Sequence, residues 1–138
     1  MSQPTEQRQA LTAIVFSNAG HSFSHMFTLL YATAVLYLPK VFDLPYGELL
    51  GLSSLGLVLF GLAALPAGWL GDRWSQIGMM VIFFIGVGVG SIIVGMAGGP
   101  DRLFIGLTLI GLFASIYHPV GIAWIVAWAD KQGMTLGI

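Results

Sequence analysis

Two histidines stand one helical turn apart within an apolar segment of this sequence, in the stretch NAGHSFSHMF at residues 18–27. A helix places residues i and i+4 side by side, so His21 and His25 share one face. The remaining histidine, His118, follows Tyr117 in the stretch SIYHPVG. Imidazole changes its charge near neutral pH and also binds metals. These side chains are therefore candidates for proton transfer, substrate binding or metal ligation.

Three interpretations of the histidines follow from the residues alone. A metal or haem site is one, although zinc usually takes three or four protein ligands and the chain has no cysteine. A transport cavity that binds a substrate and accepts a proton is another. Hydrogen bonding between helices, worth roughly 0.6 kcal/mol per pair in membranes, is the third. The residues leave the cavity and the packing interpretations open, and we predict neither a bound metal nor a cofactor.

No motif for covalent catalysis accompanies the histidines. Serine is frequent, but the G-x-S-x-G pattern that presents a nucleophilic serine on a strand-to-helix turn does not occur in the sequence. We therefore predict that the protein is not an enzyme.

The composition indicates a membrane protein. Hydrophobic residues make up 57% of the 138 residues and charged residues only 8%, whereas soluble domains carry about 25% charged residues. The mean hydropathy is +0.88. A formal net charge of −1 provides no basic surface for nucleic acid, so no nucleic acid partner is predicted.

Charged and turn-forming residues divide the chain into four apolar runs, each near or above the roughly 20 residues that cross a bilayer. The predicted spans cover about residues 11–38, 49–70, 77–97 and 103–128, after a polar tail at residues 1–10. Short connections place neighbouring helices antiparallel. The predicted fold class is therefore an all-α membrane protein with four antiparallel transmembrane helices, the first of them too long for a cleaved signal peptide.

The positive-inside rule gives an orientation for these spans. Arg8, Arg73 and Lys131 fall on one side of the predicted bundle, whereas Lys40 and Arg102 fall on the other. The larger number of basic residues lies on the side of the N-terminal tail, which we therefore predict to be cytoplasmic.

Polar side chains form a stripe on the first predicted helix. At about 100° per residue, the following share one side: Ser17, Asn18, His21, Ser24, His25 and Thr28. Polar and ionisable groups at mid-membrane depth usually face a bundle interior or a water-filled path. In the fourth helix Pro119 lacks a main-chain N–H, and together with Gly121 it predicts a kink beside His118.

Glycines cluster inside the second and third predicted helices, namely Gly51, Gly56, Gly61, Gly86, Gly88, Gly90 and Gly95. Small residues let helix backbones approach closely in lipid, so these positions predict packing faces. The run GVGVG is not predicted to bind phosphate, because no strand precedes it and no Gly-Lys-Ser follows.

The loop after the second predicted helix resembles a signature of the major facilitator superfamily. The loop sequence is GWLGDRWSQIGMM, at residues 68–80. It carries Gly68, Asp72 and Arg73 of the family pattern G-x-x-x-D-R-x-G-R-R, and Ser75 stands where the pattern has its next glycine. This loop lies on the cytoplasmic side in that family. The resemblance therefore implies that Asp72 and Arg73 belong to a cytoplasmic gate, and it also implies a cytoplasmic N-terminus.

Two further stretches resemble patterns of the fosmidomycin-resistance-like branch of that superfamily. SFSHMF and YHPVG are similar to the branch patterns S-x-x-H-F and F-H-P-E-G. The matching positions are His25, His118, Pro119 and Gly121. Leu29 and Val120 stand where that branch often has Asp and Glu, so the histidines are the main titratable groups of the predicted spans.

These resemblances imply secondary active transport of a small molecule, with proton-driven efflux of a drug or metabolite as the activity of the branch. Family members have twelve helices in two six-helix halves around a central cavity, which the first and fourth helices border. The implied substrate or proton residues are Asn18, His21, His25, Tyr117 and His118. The implied location is a bacterial-type inner membrane. The implied partners are a small-molecule substrate, the lipid bilayer and the remaining transporter helices.

The end of the sequence, WADKQGMTLGI at residues 128–138, looks like the family's cytoplasmic loop after the fourth helix and the start of a fifth. We therefore expect residues 11–138 to be the N-terminal portion of a longer transporter, because alternating access needs two halves. The opposing hypothesis is a small, complete four-helix membrane protein. Such a protein would be structural and oligomeric, or it would bind haem through His25 and His118.

Overall fold

The computed structural model describes residues 4–132, which are helical through most of that range and contain no strand. The helices are α1 (Pro4–Ala34), α2 (Pro39–Phe42), α3 (Tyr46–Gly51), α4 (Ser54–Leu62), α5 (Ala64–Arg73), α6 (Gln76–Gly95), α7 (Pro100–Ala114) and α8 (Ile122–Gln132), with a π-helical turn at Tyr117–Gly121 between α7 and α8. The predicted all-α membrane fold is confirmed. The predicted start of a fifth helix falls on residues 133–138, which lie outside the described residues.

Two helical stretches of the described residues are long and apolar enough to cross a membrane, namely Gln76–Gly95 and Pro100–Ala127. A third is present if Tyr46–Leu62 and Ala64–Arg73, which bend by 41° at their break, form one span. Helix α1 is not among these stretches, because polar side chains occupy its middle. The predicted count of four spans is therefore not confirmed and stays a prediction.

A proline divides the second predicted span. Helix α4 ends at Leu62 and α5 begins at Ala64. Pro66 has no N–H to donate to the carbonyl of Leu62, so the regular hydrogen-bond ladder is interrupted at this turn. The ladder resumes where Ala67 N donates to Ala63 O at 3.0 Å. The bend of 41° lies at this interruption.

The first helix ends earlier than the predicted span at residues 11–38. Helix α1 stops at Ala34, and hydrogen-bonded turns lead into α2, where Pro39 is the first residue. Asp43 then adopts a left-handed backbone conformation with φ of 51°. Beyond this turn α3 packs against α1, and the hydroxyl of Tyr31 in α1 donates a hydrogen bond to the carbonyl of Leu49 in α3.

Close backbone packing joins α4, α6 and α7. A Cβ built at Gly56 would lie 2.5 Å from Leu107 O, and one built at Gly90 would lie 3.0 Å from Gly106 O. The predicted packing role is confirmed for Gly56, Gly86 and Gly90. For the other predicted glycines it stays a prediction, because no atom of the described residues lies within 4 Å of a built Cβ: Gly51, Gly61, Gly88 and Gly95.

Two apolar cores hold the helices together. One contains Phe83, Tyr117 and Val120, each at most 2% exposed, and lies where α6 meets the π turn. The other contains Tyr31 and Leu49 and lies where α1 meets α3. The π turn therefore has one side anchored in a buried core, which fixes the position of the side chains on its other side.

Candidate functional site

All three histidines of the chain lie close together. The rings of His21 and His25, both on α1, have centroids 4.7 Å apart. The ring of His118, in the π turn, is 5.8 Å from His25 and 6.3 Å from His21 between centroids. We call these residues (His21, His25 and His118) the histidine cluster.

Tyr117 supports the cluster from its buried side. The Tyr117 ring stacks on the His21 ring, with 5.5 Å between centroids and 20° between planes. Two glycines make room for it, because a Cβ built at Gly20 would lie 3.0 Å from the Tyr117 ring and one built at Gly121 would lie 2.8 Å from it. Met80 lies at the same contact. Tyr117 is only 2% exposed, so its ring is a fixed platform for His21.

A buried hydrogen bond ties α1 to the π turn. Ser17 Oγ donates to the carbonyl oxygen of Gly121 at 3.2 Å. At Pro119 and Gly121, where the sequence predicts a kink, the helix widens into this π turn. Turns of this kind occur frequently at functional sites. Here the turn leaves His118 half-buried beside α1 while Tyr117 points into the core.

The predicted polar stripe on α1 divides into buried and exposed members. Ser17 and Ser24 are buried. Asn18, His21 and His25 are exposed. The exposed members therefore lie at the surface of the described bundle, and His21 among them rests on the ring of Tyr117.

The motif of Gly68, Asp72 and Arg73 occupies the second half of α5. Gly68 packs on Pro119, since a Cβ built at Gly68 would lie 3.0 Å from Pro119 Cβ. Asp72 and Arg73 are exposed, and the Arg73 guanidinium lies 4.4 Å from the centroid of the Trp69 ring. The glycine of the motif thus meets the π turn, whereas the charged pair lies at the end of the helix.

The chemistry of the cluster is that of imidazole. Among the described residues, no group of at least three His, Cys, Asp or Glu side chains has an arrangement that holds a metal ion. Neutral imidazole donates one hydrogen bond and accepts another, and protonated imidazole carries a positive charge. The cluster is therefore able to bind a polar group of a substrate and to accept a proton.

Three residues at the cluster are missing from the sequence-based prediction: Gly20, Phe60 and Met80. The ring of Phe60, on α4, meets the His118 ring edge-on, with 5.8 Å between centroids and 89° between planes. Nothing in a single sequence connects Phe60 or Met80 to the histidines. Gly20 did have a signal, because it lies three residues after Ser17 and four before Ser24 and so shares their helix face.

The apolar helices and their polar cluster define a multi-pass helical membrane protein. Residues 13–138 match the family model of the Major Facilitator Superfamily. The chain belongs to this superfamily, whose members are membrane transporters of small-molecule substrates rather than enzymes. Comparison with curated proteins and with solved structures gave no match. The predicted superfamily is confirmed, and the alternative of a structural or haem-binding four-helix protein is not favoured.

Proposed function

We propose that this chain forms the N-terminal part of a twelve-helix secondary transporter and that the histidine cluster lines its central substrate cavity. The observation that carries the proposal is the approach of His118 to His21 and His25 at the surface of an otherwise apolar bundle. Ionisable groups inside a membrane are costly unless they face protein or water. Membership of a transporter superfamily supports a cavity as the environment of this face. Alternating access then moves the two halves about a site near the midplane.

Helix α1 is the proposed first span, with its N-terminus on the cytoplasmic side of a bacterial-type inner membrane. At about 1.5 Å per residue, its 31 residues extend about 46 Å, more than the roughly 30 Å of a hydrocarbon core. With the bent α3–α5 unit, α6, and the α7–α8 unit, it makes up the proposed four spans. Arg8 and Arg73 on one side support the orientation.

The proposed transport cycle uses the histidines for both substrate and proton. His25 and His118 offer hydrogen-bonding nitrogens from two different helices, and a neutral imidazole nitrogen is able to accept a proton. Asn18 lies on the same exposed face of α1 and adds an amide that donates and accepts. The resemblance of the two histidine stretches to the fosmidomycin-resistance-like branch supports efflux as the direction of transport.

Asp72 and Arg73 are the proposed cytoplasmic gate. Both are exposed at the end of α5, where an acid and a base are free to pair with the other half of the transporter. Gly68, one helical turn earlier, packs on Pro119. A movement of the gate would therefore be transmitted to the turn that carries His118.

The coding sequence beyond codon 138 tests whether the chain is part of a longer transporter. We expect an open frame with about eight more apolar spans, which completes two six-helix halves. A stop codon at this point, with no further span encoded, would contradict that part of the proposal.

Transport by the full-length protein tests the site. Inside-out vesicles from expressing cells are screened with radiolabelled organic anions, cations and neutral solutes. For the solute that accumulates, His25→Ala and His118→Ala are expected to lower the initial rate at least about tenfold at unchanged expression, because each removes an imidazole that binds the substrate and accepts the proton. The control Thr33→Ala, at an exposed position of the same helix, is expected to keep the wild-type rate. Wild-type rates in both histidine variants would assign the cluster to helix packing.

A further inference from the structure

A largely apolar cavity of about 140 Å³, open on one side to the surface of the described bundle, lies between α1, α4 and α7. Phe27 and Phe60 give it aromatic walls, and Leu57, Leu107 and Ile110 add aliphatic ones. An apolar cavity of about 150 Å³ is known to hold one benzene molecule. The cavity therefore has room for a single six-membered ring.

The polar groups that line this cavity are hydroxyls whose protons are already used. Thr28, Tyr31 and Ser53 belong to the lining, and each donates its hydroxyl proton to a main-chain carbonyl of the protein. A hydroxyl has only one proton to donate. These side chains therefore offer no free donor to a bound molecule, and the cavity favours an apolar group.

The cavity adjoins the histidine cluster at two of its lining residues. Phe60 lines the cavity and also meets the ring of His118, with 5.8 Å between centroids. Thr28, another lining residue, lies three residues after His25 on α1 and so shares its helix face. The part of the cavity formed by Phe60 and Thr28 therefore lies beside the residues that carry the imidazoles.

The charges around the cluster select the sign of that substituent. The aromatic side chains in contact with the histidines are Tyr117 and Phe60. The acidic side chains whose exposure the structure describes are all exposed and lie at helix ends: Asp43, Glu48, Asp72 and Asp101. Imidazole is neutral or positive but not negative at physiological pH. An anionic group would gain charge-assisted hydrogen bonds here, whereas none of these four acidic side chains is among the described contacts of the histidine rings to attract a cation.

We propose that the cavity and the histidine cluster form one site for a compact amphipathic anion, a single ring that carries a carboxylate. The ring occupies the cavity between Phe27 and Phe60, and the carboxylate accepts hydrogen bonds from His25 and His118. This inference names a substrate class for the transport function proposed above and rests on that function.

Binding of radiolabelled benzoate tests the site. The protein encoded by the complete reading frame is reconstituted in phosphatidylcholine nanodiscs and examined by equilibrium dialysis. Benzoate is expected to bind at least about tenfold more tightly than benzylamine, benzyl alcohol or acetate, because only benzoate combines an aromatic ring with a negative charge. His25→Gln is expected to weaken benzoate binding by a similar factor.

A matched pair of substitutions on α1 tests the cavity. Ala32 is exposed and lines the cavity, so Ala32→Phe fills it and is expected to weaken benzoate binding at least about tenfold. Thr33 is the next residue, also exposed, and does not line that cavity. Thr33→Phe adds the same ring to the same helix and is expected to leave benzoate binding within about twofold. Thermal unfolding of both variants in the nanodiscs checks that each remains folded. If Ala32→Phe does not fold, Leu57→Trp is the replacement variant, which fills the cavity from α4.

Three results would overturn this inference: no saturable binding of benzoate, binding of benzylamine as tight as that of benzoate, or benzoate binding that the cavity-filling variants leave unchanged. None of them touches the proposed transport function, which is tested by the rates of His25→Ala and His118→Ala for whichever solute is carried. The opposite result is also distinguishable. If the cavity-filling variants weaken benzoate binding but the histidine variants transport at the wild-type rate, the binding site is supported and the transport role of the histidines is contradicted.

Discussion

Replacement of Gly56 by alanine tests whether α4 and α7 depend on direct backbone contact. The new Cβ would lie 2.5 Å from the carbonyl oxygen of Leu107, whereas an ordinary Cβ contact is 3.4 Å or longer, so the helices must separate locally by about 0.9 Å. The neighbouring atom belongs to the main chain and cannot rotate away as a side chain would. Overpacking of this kind costs about 1–3 kcal/mol. We expect Gly56→Ala to lower the free energy of unfolding by about 2 kcal/mol.

Gly61→Ala is the matched control for this prediction. Gly61 lies on the same helix, and no atom in the part of the chain that the structure describes lies within 4 Å of a Cβ built there. Because alanine has the higher helix propensity, this variant is expected to be as stable as the wild type or more stable by up to about 1 kcal/mol. Unfolding by sodium dodecyl sulfate in mixed micelles, followed by far-ultraviolet circular dichroism, gives both free energies. Equal midpoints for the two variants, or a gain of stability for Gly56→Ala, would refute the argument from backbone contact.

Three further predictions use the same unfolding measurement. Ser17→Ala removes the buried hydrogen bond to the carbonyl of Gly121 and is expected to lower the free energy of unfolding by about 0.5–1.5 kcal/mol. Ser22→Ala, at an exposed position of the same helix, is the control and is expected to be neutral. Equal losses for the two variants would contradict a contribution of the hydrogen bond. Asp43→Gly relieves a left-handed conformation and is expected to raise stability by about 0.5–1 kcal/mol, and Asp43→Val to lower it; no difference between the two would argue against strain at this turn. Tyr117→Ala empties a buried position in the core and is expected to lower the free energy of unfolding by about 3–5 kcal/mol. Tyr117→Phe keeps the ring and is expected to keep most of the stability. A small effect of Tyr117→Ala would contradict a structural role of this ring.

The helical elements of this fold are largely predictable from the sequence, and their interruptions are less so. Helix α6 follows from one apolar run between polar residues, and Ser75 begins it as an N-cap whose Oγ accepts from Gly78 N at 3.0 Å. The break before α5 has a visible cause in Pro66. Proline also occurs within continuous membrane helices, so the presence of Pro66 alone does not predict whether the helix breaks there. The end of α1 at Ala34 has a local cause in Pro39, which has no N–H to donate to the carbonyl of Val35, but the exact end residue is not given by the sequence pattern.

The candidate site shows a similar division. The pairing of His21 with His25 follows from their spacing on one helix. The approach of His118 depends on how α1 packs against the π turn, through Ser17 and a partner 104 residues away in the chain. Only the resemblance to a family connected these segments in advance. The contact of Phe60 with the cluster depends on the position of α4 over α7, which no residue pattern indicates.

Two motifs that the sequence presents separately form one interface in the structure. Gly68 of the loop motif meets Pro119, and Gly71 meets Val120, because Cβ atoms built at the glycines would lie 3.0 and 2.8 Å from those side chains. Two glycines that lie three residues apart on one face of α5 therefore contact two consecutive residues of the π turn. A side chain at either glycine would push this turn away from α5, and His118 precedes the displaced proline directly. The glycine of the loop motif thus positions a histidine by packing, in addition to any role that its charged neighbours have at the helix end.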